Sequence, residues 1–305
     1  MVDYSRFKDV NVLVVGDLML DRTLTASVDR ISAEAPVPIA RALSESYAAG
    51  GAGNTAMNVS TLSAKCTVAG VYGNDASGLK LWELFKESGL NVVAPDRYSP
   101  TIVKLRTVCS RTHQQLPRID WDTQIPSEVS HALAERLSPE VLKPFDVIVV
   151  SDYAKGTVSW KLMQRLVESG RPVFVDPKPA NAKWYNNVFL VKPNGGEARQ
   201  LTGLDGAAAA KKLSEEWGSR ILLTRSDQPA VLYADGVLTE LQVLSHEVSD
   251  VTGAGDTVIA TLAVAYAAGV PLVDAARLAM RAASIKVTKR GTVPVSLDEL
   301  IESAG

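Results

Sequence analysis

The feature that most constrains the fold is a repeated alternation between short apolar runs and longer segments with helical periodicity. The helical segments lie at about 76–88, 127–138, 158–169, 206–217, 254–268 and 272–288. The apolar runs predict strands at Val10–Val15, Thr67–Tyr72, Val147–Val150, Val173–Val175, Val188–Val191 and Ile221–Thr224. These runs are almost continuously apolar, as expected when helices cover both faces of a parallel sheet. The sequence therefore predicts an α/β fold with a mostly parallel central sheet flanked by helices.

Two segments lack this rhythm. Residues 18–47 and 98–122 alternate polar and apolar side chains, which is typical of strands with one face in water. We predict that they assemble in space into a small β-sheet lid that projects from the main sheet and covers a substrate. No repeat, low-complexity tract or obvious linker divides the chain, so we expect residues 1–305 to form one domain that carries this lid.

Charge and composition argue against several classes of function. The formal net charge is −2, so no overall basic field favours nucleic acid or an anionic membrane. The N-terminal residues do not resemble a signal peptide, and the most apolar stretch, 258–268, is too short to span a bilayer. Two cysteines and three scattered histidines provide neither a disulfide framework nor zinc-ligand spacing. We expect a cytoplasmic protein with reduced thiols.

The strongest local signal is the stretch DVTGAGDTVIATLAVAYAAG at residues 250–269. Gly253, Ala254 and Gly255 are small enough to let backbone N–H groups approach a phosphate, at the start of a predicted apolar helix. A carboxylate at Asp256 would repel phosphate, but it can accept the proton of an attacking hydroxyl. The alternative is a glycine turn with Asp256 as a helix cap. The combination of small residues, acid and buried helix favours phosphoryl transfer.

A second signal is KPNGGEARQLTG at residues 192–203, after a predicted strand. Asn194 and Glu197 are three residues apart, so they share one face of the first turn if a helix begins there. An amide and a carboxylate in this position can hold the water shell of a Mg²⁺ ion. The alternative is a capping box, in which the two side chains only satisfy the helix N-terminus.

A third signal is the glycine-rich stretch YAAGGAGNTAMNVSTLSA at residues 47–64. Gly50, Gly51 and Gly53 allow close backbone approach, and Asn54 is predicted to open a helix with its amide available to a ligand hydroxyl. A glycine turn with an asparagine cap is the alternative.

The fourth signal is the pair Gly16-Asp17 at the predicted end of the first strand, where ligands of open α/β sheets bind. The alternative is an aspartate that caps a turn. The surrounding VVGDLML has one glycine where the dinucleotide fingerprint needs three, which argues against a nicotinamide dehydrogenase.

In this order, GD, GGAGN, NGGE and DVTGAGD resemble the ribokinase-like (PfkB) family of carbohydrate kinases over essentially the whole chain. Within that family, residues 16–42, 102–122 and 151–159 resemble the kinases of D-glycero-β-D-manno-heptose 7-phosphate. Those enzymes phosphorylate the anomeric hydroxyl to give the 1,7-bisphosphate on the route to ADP-heptose and lipopolysaccharide. They occur alone or fused to an adenylyltransferase, which is the partner implied here.

The resemblance implies an ATP- and Mg²⁺-dependent enzyme in which Asp256 is the general base and residues 253–255 form the anion hole. It places Asn194 and Glu197 near Mg²⁺ and the nucleotide phosphates. It places Asp17 and Asn54 on sugar hydroxyls, beside Gly50 and Gly51. It also implies a homodimer through the lid.

Two departures from the family pattern lie on the predicted nucleotide side. Many members have T-x-G-x-x-G where this chain has residues 224–229, so we assign Thr224 and Ser226 to the nucleotide. Arg281 stands where an asparagine is frequent, and we predict that it contacts the nucleotide. A solvent-facing helix arginine is the alternative.

The 7-phosphate of such a sugar needs positive charge far from ATP. Lys104 and Arg106 lie two apart in a predicted lid strand and so share a face, and Arg118 lies in the second half of that segment. The remaining candidates follow predicted strands: Asp152, Lys155 and Lys178. The alternative is that the lid cations form only its solvated face.

Two rival functions stay open at this point. One alternative is a kinase of the same fold that acts on a different phosphosugar or a nucleoside, and the other is a protein that senses sugars without catalysis.

Overall fold

The computed structural model describes residues 2–94, 100–242 and 249–303, so residues 98–99 of the predicted lid lie outside it. Its strands are β1 Asn11–Ile31, β2 Pro38–Gly51, β3 Lys65–Val71, β4 Asn91–Val93, β5 Ile102–Cys109, β6 Gln115–Trp121, β7 Val147–Ser151, β8 Val173–Asp176, β9 Leu190–Val191, β10 Arg220–Arg225, β11 Gln228–Ala234 and β12 Val237–Leu241. The central sheet has the order β12-β11-β10-β9-β8-β7-β1-β3-β4. From β10 to β4 neighbouring strands run parallel, and β11 and β12 add an antiparallel edge. The predicted fold class is confirmed.

The helices cover both faces of this sheet. They are α1 Ala52–Thr61, α2 Ala76–Glu87, α3 Ser127–Arg136, α4 Pro139–Leu142, α5 Trp160–Glu168, α6 Gly195–Thr202, α7 Gly206–Trp217, α8 Ala254–Ala267, α9 Leu272–Lys286 and α10 Leu297–Glu302. Two 3-10 turns, Tyr4–Asp9 and Pro179–Trp184, complete the described chain. Along β1, Val12 and Val14 join one hydrophobic core while Leu13 and Val15 join the other. Because successive side chains point to opposite faces, a strand between two helical layers must be apolar throughout.

The lid is built on the distal half of β1. This strand does not end at Val15, as the sequence predicted, but continues to Ile31. It pairs antiparallel with β2 and parallel with β5, and β5 pairs antiparallel with β6. The two alternating segments therefore assemble in space, as predicted. The change from apolar to alternating residues marks where β1 leaves the covered sheet, and the backbone does not stop there.

The hairpin of β11 and β12 was missed, although its turn carries a recognisable signal. Asp235 and Gly236 both adopt positive φ, at 52° and 81°, as a two-residue hairpin turn of this type requires. The buried helix predicted around 258–268 is α8, whose residues from Val258 to Ala265 are all buried. No helix among the described residues is long and apolar enough to cross a membrane.

Candidate active site

A cleft of about 920 Å³ lies at the carboxyl ends of β8, β9 and β10 and the start of α8. Ligands of open α/β sheets bind at this edge, because helix N-termini and loops converge there. The cleft brings together residues that lie far apart in the sequence, from Tyr153 to Val287. Its lining includes these predicted site residues: Lys178, Asn194, Glu197, Thr224, Ser226, Gly253, Ala254, Gly255 and Asp256.

Asp256 lies in the first turn of α8 and is only 5% exposed. Its carboxylate accepts hydrogen bonds from Asn54 Nδ2 at 2.6 Å, Thr55 Oγ1 at 2.9 Å and Tyr153 OH at 3.2 Å. Burial raises the pKa of Asp256, while these donors and the Lys192 ammonium oppose the rise. A buried carboxylate with a raised pKa, held in one orientation at a cleft, is suited to accept a proton.

The structure gives Asn54 a contact that the sequence did not reveal, and its contact with a sugar hydroxyl stays a prediction. We expected its amide to bind a sugar hydroxyl, but Nδ2 donates to Asp256 and Oδ1 faces Asn58 Nδ2 at 3.4 Å. The reason is that α1 begins at Ala52, two residues earlier than predicted, so Asn54 lies inside the helix and faces α8. Asn54 therefore orients the candidate base.

The anion-hole residues have the predicted backbone form. Gly253 is the N-cap of α8 with φ +77°, a left-handed conformation that glycine adopts without strain. A Cβ there would lie 2.8 Å from Asn54 Nδ2. The following N–H groups belong to the N-terminus of a 14-residue helix, where an anion is stabilised.

Lys192 was not recognised from the sequence, although it precedes Asn194 in the quoted motif. It is 3% exposed, and its Nζ lies 3.1 Å from Asp176 Oδ1. A Cβ on Gly255 would lie 3.1 Å from the same Nζ, so the ammonium stands directly beside the anion hole. Only the tertiary structure reveals this, because more than 60 residues separate Lys192 from Gly255.

Asn194 and Glu197 form the capping box that was the alternative interpretation. Asn194 Oδ1 accepts from Glu197 N at 2.9 Å, and Glu197 Oε2 accepts from Asn194 N at 2.9 Å. The other carboxylate oxygen of Glu197 accepts from Lys178 Nζ at 2.7 Å. The pair therefore caps α6, and it still lines the cleft.

The acidic groups of the cleft fit a hydrated Mg²⁺. Burial, with the nearby charges of Asp256 and Glu197, raises the pKa of Asp176 to about 6, against the opposing effect of Lys192. A cation would relieve this repulsion. Among the described residues no three acidic, histidine or cysteine side chains lie close enough to enclose a metal directly. The donor set suits an ion that keeps its waters and is also held by substrate phosphates.

Asp17 and Asp152 are buried and hydrogen-bonded within the protein. Asp17 has no exposed surface, and its carboxylate accepts the backbone N–H groups of Tyr153, Lys155 and Thr157 at 2.8, 3.1 and 3.0 Å. Asp152 is 2% exposed and accepts from Tyr185 OH at 2.7 Å. Burial and the charge of Asp17 raise the pKa of Asp152 to about 6. Both aspartates therefore hold the loop after β7 in place, and their sugar contacts stay a prediction.

The lid cations lie on one face that turns toward Tyr153. In the strand register Lys104 pairs with Asp21 of β1, and Arg106 pairs with Arg118 of β6. Arg106 Nη1 lies 2.8 Å from Asp21 Oδ1. Lys104 Nζ lies 5.2 Å from the centre of the Tyr153 ring. Burial lowers the pKa of Lys104, although Asp21 opposes this.

Asp21 was also missed. It is 7% exposed, and it follows Asp17 by four residues, a spacing that puts both on one face of a strand. Gly50 packs against it, since a Cβ on Gly50 would lie 2.9 Å from Asp21 Oδ2. Gly51 has φ +58°, and a Cβ there would lie 2.3 Å from the carbonyl of Asp17. Both glycines allow the start of α1 to approach β1.

Two further predicted cations, Lys155 and Lys178, form ion pairs. Lys155 Nζ lies 2.7 Å from Asp122 Oδ2, at the rim. Lys178 pairs with Glu197 on the Asn194 side of the cleft, and its Nζ also lies 5.5 Å from the centre of the Tyr153 ring. Its contact with the sugar stays a prediction.

Arg281 does not line the cleft, so the structure does not support its predicted contact with the nucleotide, which stays a prediction. The side of α9 that lines the cleft consists of Met280, Ala283 and Ser284, followed by Val287. Arg281 is one residue out of phase with this set, and its charge acts on Tyr4 instead. A helix turns by 100° per residue, so neighbours in sequence face different directions.

Tyr153 is the remaining contact of Asp256 that the sequence did not reveal. We expect Tyr153→Phe to move the acid limb of the kcat/KM profile to higher pH by about one to two units. The tyrosine hydroxyl stabilises the ionised carboxylate, so its loss raises the pKa of a base that must be deprotonated to act. Tyr47→Phe, which removes a hydroxyl bonded to Glu45 in the lid, is the control. An unshifted profile would show that Tyr153 does not act on Asp256.

A model of the pfkB family of carbohydrate kinases matches residues 9–299. The chain belongs to this family. A "D-beta-D-heptose 7-phosphate kinase" of Bordetella bronchiseptica is 39% identical to this PfkB member over 310 residues, covering 97% of this chain and 96% of that protein. A "Bifunctional protein HldE" of Hydrogenovibrio crunogenus is 40% identical over 311 residues, covering 99% of this chain but 64% of that protein.

Solved structures confirm that this PfkB member has the ribokinase-like fold. Phosphofructokinase-2 from Escherichia coli in complex with substrates and products superposes with a TM-score of 0.79 at 19% identity, over 97% of this chain and 98% of the other. Ribokinase from Arabidopsis thaliana complexed with ribose and ATP gives 0.73 at 20% identity, over 96% and 98%. At such identities the likeness concerns the fold alone.

Proposed function

We propose that this PfkB kinase transfers the γ-phosphoryl group of ATP to the anomeric hydroxyl of D-glycero-β-D-manno-heptose 7-phosphate. The observation that carries the reaction is the buried, triply hydrogen-bonded Asp256 at the anion-hole turn of α8. The sugar is supported by the relative named as a heptose 7-phosphate kinase, of which this chain covers nearly the full length. The cationic face of the lid supports a phosphorylated acceptor.

In this proposal the sugar oxygen attacks the γ-phosphorus, its proton passes to Asp256, and the bond to the β,γ-bridging oxygen breaks to release ADP. The backbone N–H groups of Gly253–Gly255 and the Lys192 ammonium stabilise charge on the transferring oxygens. Asp176 and Glu197 would hold the hydrated Mg²⁺, which supplies positive charge to the nucleotide phosphates. Thr224 and Ser226 border the nucleotide end of the cleft.

The phosphate end of the sugar gives a direct prediction. Lys104→Ala or Arg106→Ala is expected to weaken binding of heptose 7-phosphate by about 1.5–3 kcal/mol, or roughly 10–150-fold. Each change removes a charge-assisted contact to the dianion, whereas the affinity for ATP, on the other side of Tyr153, stays unchanged. Calorimetric titration of each ligand measures both affinities.

Arg22→Ala provides the matched control. Arg22 follows Asp21 on β1, so it lies on the opposite face of the lid, where it pairs with Glu45. We expect it to leave the affinity for heptose 7-phosphate unchanged. Equal losses for the phosphorylated and the unphosphorylated heptose in Lys104→Ala and Arg106→Ala would show that these side chains support the lid without contacting phosphate.

A screen of ADP release tests the function as a whole. Heptose 7-phosphate is expected to give the highest kcat/KM among heptose, hexose and pentose phosphates and nucleosides. A higher kcat/KM for a nucleoside or another phosphosugar would mean that this compound is the acceptor. If none of the compounds causes ADP release, a sugar-sensing protein would be favoured.

Partners and location rest on proposals as well. This chain spans 64% of the length of the HldE relative, so a fused or separate adenylyltransferase is a proposed partner. Large apolar side chains on the lid, including Ile31, Leu43, Ile119 and Trp121, are each about half exposed or more, which supports the homodimer proposed through that sheet. Use of ATP agrees with the predicted cytoplasmic location, which stays a prediction.

A further inference from the structure

A fully buried lysine lies behind the anion hole, outside the residues that line the cleft. Lys286, the last residue of α9, has no exposed surface. A Cβ on Gly253 would lie 3.7 Å from its Cε, so the end of the lysine packs against the anion-hole turn. Burying an ammonium group is costly unless other groups replace its water. The groups that contact the Lys286 ammonium therefore indicate why a charged side chain is buried at this position.

Those partners are not those of an ordinary ion pair. Lys286 Nζ donates to the carbonyl oxygen of Gly291 at 2.7 Å. Over the described ranges, no carboxylate lies within 4.0 Å of this Nζ, whereas the buried Lys192 is paired with Asp176 at 3.1 Å. Burial lowers the pKa of Lys286, and the charge of Lys289 adds to this, while the charges of Asp250 and Asp256 oppose it.

Asp250 connects the anion-hole segment to the turn around Lys286. Its Oδ1 accepts from Thr252 N at 2.9 Å and its Oδ2 from Gly291 N at 2.8 Å. The carbonyl of Val287 accepts from Ser249 N at 2.8 Å and from Asp250 N at 3.1 Å. The segment that enters α8 is thus bonded on both sides to the chain that leaves α9, and Lys286 lies between them.

We propose that the Lys286 ammonium is a built-in monovalent cation that positions the anion-hole turn, so that this kinase works without a bound alkali metal ion. A single positive charge held by a carbonyl oxygen and a nearby carboxylate is the environment that an alkali ion would also occupy. Lys286 is a positioning residue, because it acts through Gly253 and Asp250 and does not face the cleft. As a statement about catalysis, the inference rests on the proposed kinase function.

Removing the ammonium would leave the Asp250 charge and the Gly291 carbonyl facing an empty space. The turn at Gly253 would lose its support, and the N–H groups of α8 would be less well aimed at the transferring phosphoryl group. A small cation from solution can enter such a space. Tetramethylammonium is too large to enter, and its methyl groups prevent oxygen atoms from coordinating the charge. This difference distinguishes a cation-like role from simple packing.

The first measurement uses the unaltered protein. ADP release is followed with tetramethylammonium as the only monovalent cation, and then with K⁺, Na⁺ or NH₄⁺ added at equal ionic strength. We expect the same rate in all four. A rate that depends on K⁺ or Na⁺ would overturn the proposal without any variant.

The second measurement uses Lys286→Ala. In tetramethylammonium we expect kcat to fall by about 10–100-fold, the usual effect of removing a group that orients an active-site residue, and K⁺ or NH₄⁺ to restore most of it. The matched control is Lys289→Ala, three residues further on, whose Nζ bonds the carbonyl of Pro294 at 2.9 Å and pairs with Glu299. The control should show no cation dependence. A folded Lys286→Ala that keeps the wild-type rate, or that no cation restores, would overturn the proposal.

A third measurement does not depend on catalysis. Thermal unfolding of Lys286→Ala, and of the longer uncharged Lys286→Met, is compared in K⁺ and in tetramethylammonium. We expect K⁺ to raise the Tm of Lys286→Ala, and not that of the wild type or of Lys289→Ala. If both Lys286 variants stay unfolded in either salt, the charge is not replaceable and the proposal fails. A protein with no kinase activity but this cation effect on Tm would instead overturn the proposed function alone.

Discussion

Asp256→Asn is expected to lower kcat by about 10²–10⁴-fold, the usual contribution of a general base, while the fold and the affinity for ATP are kept. The amide keeps the size of the carboxylate and its contacts near Asn54 and Thr55, but it cannot take a proton from the sugar hydroxyl. Single-turnover measurement of phosphoryl transfer separates this effect from product release. Activity within a few-fold of the wild type would exclude Asp256 as the base.

The pH dependence gives a second signature of the same residue. Burial raises the pKa of Asp256, and only the ionised carboxylate accepts a proton. The wild-type rate should therefore fall as the pH drops through this raised pKa, and the residual rate of Asp256→Asn should lack that limb. Asp205→Asn is the control, because Asp205 also lines the cleft but pairs with Arg199.

Lys192→Met is expected to lower kcat by about 10²–10³-fold, comparable to the loss of one group that stabilises developing negative charge. The Lys192 ammonium lies beside Gly255, where negative charge develops on the transferring phosphoryl oxygens in the proposed reaction. The same change leaves Asp176 without its partner, and breaking such a buried pair costs about 3–5 kcal/mol of folding free energy. Steady-state kinetics and chemical denaturation measure the two losses separately.

The double variant Lys192→Met/Asp176→Asn distinguishes catalysis from stability. It removes the unpaired carboxylate, so we expect most of the folding free energy to return while kcat stays low. Lys183→Met, a change at an exposed lysine of the Pro179–Trp184 turn, is the control for loss of one positive charge. Recovery of kcat in the double variant would mean that Lys192 only neutralises Asp176.

Much of the fold was predictable because the pattern of apolar residues along each strand and helix depends on its local environment. Continuous apolar runs identified the strands that helices cover on both faces, and alternation of polar and apolar residues identified the lid. Successive side chains of a strand point to opposite faces, so their polarity indicates which face contacts solvent. The end of β1 was misplaced for the same reason. Periodicity records the change of environment near Gly16, but the strand itself continues to Ile31 and pairs there with β2 and β5.

For the site as well, the sequence revealed residues that act within one helical turn and did not reveal contacts between distant segments. The small residues before Asp256 and the pair Asn194 and Glu197 act within one turn of helix, so their spacing revealed them. Asp17 and Asp152 were assigned to the sugar because both follow strand-like runs, and the sequence does not show that a loop covers them.

By itself the sequence determined the class of fold, the family pattern and the segment where phosphoryl transfer is proposed. Only the tertiary structure decided that Asn54 and Tyr153 hold Asp256, that Lys192 stands beside Gly255, and that Arg281 faces away. The physical reason is that these contacts join positions from more than 60 to more than 200 residues apart. The energies of these contacts come from burial and from charges that come close together only when distant segments of the chain pack against each other.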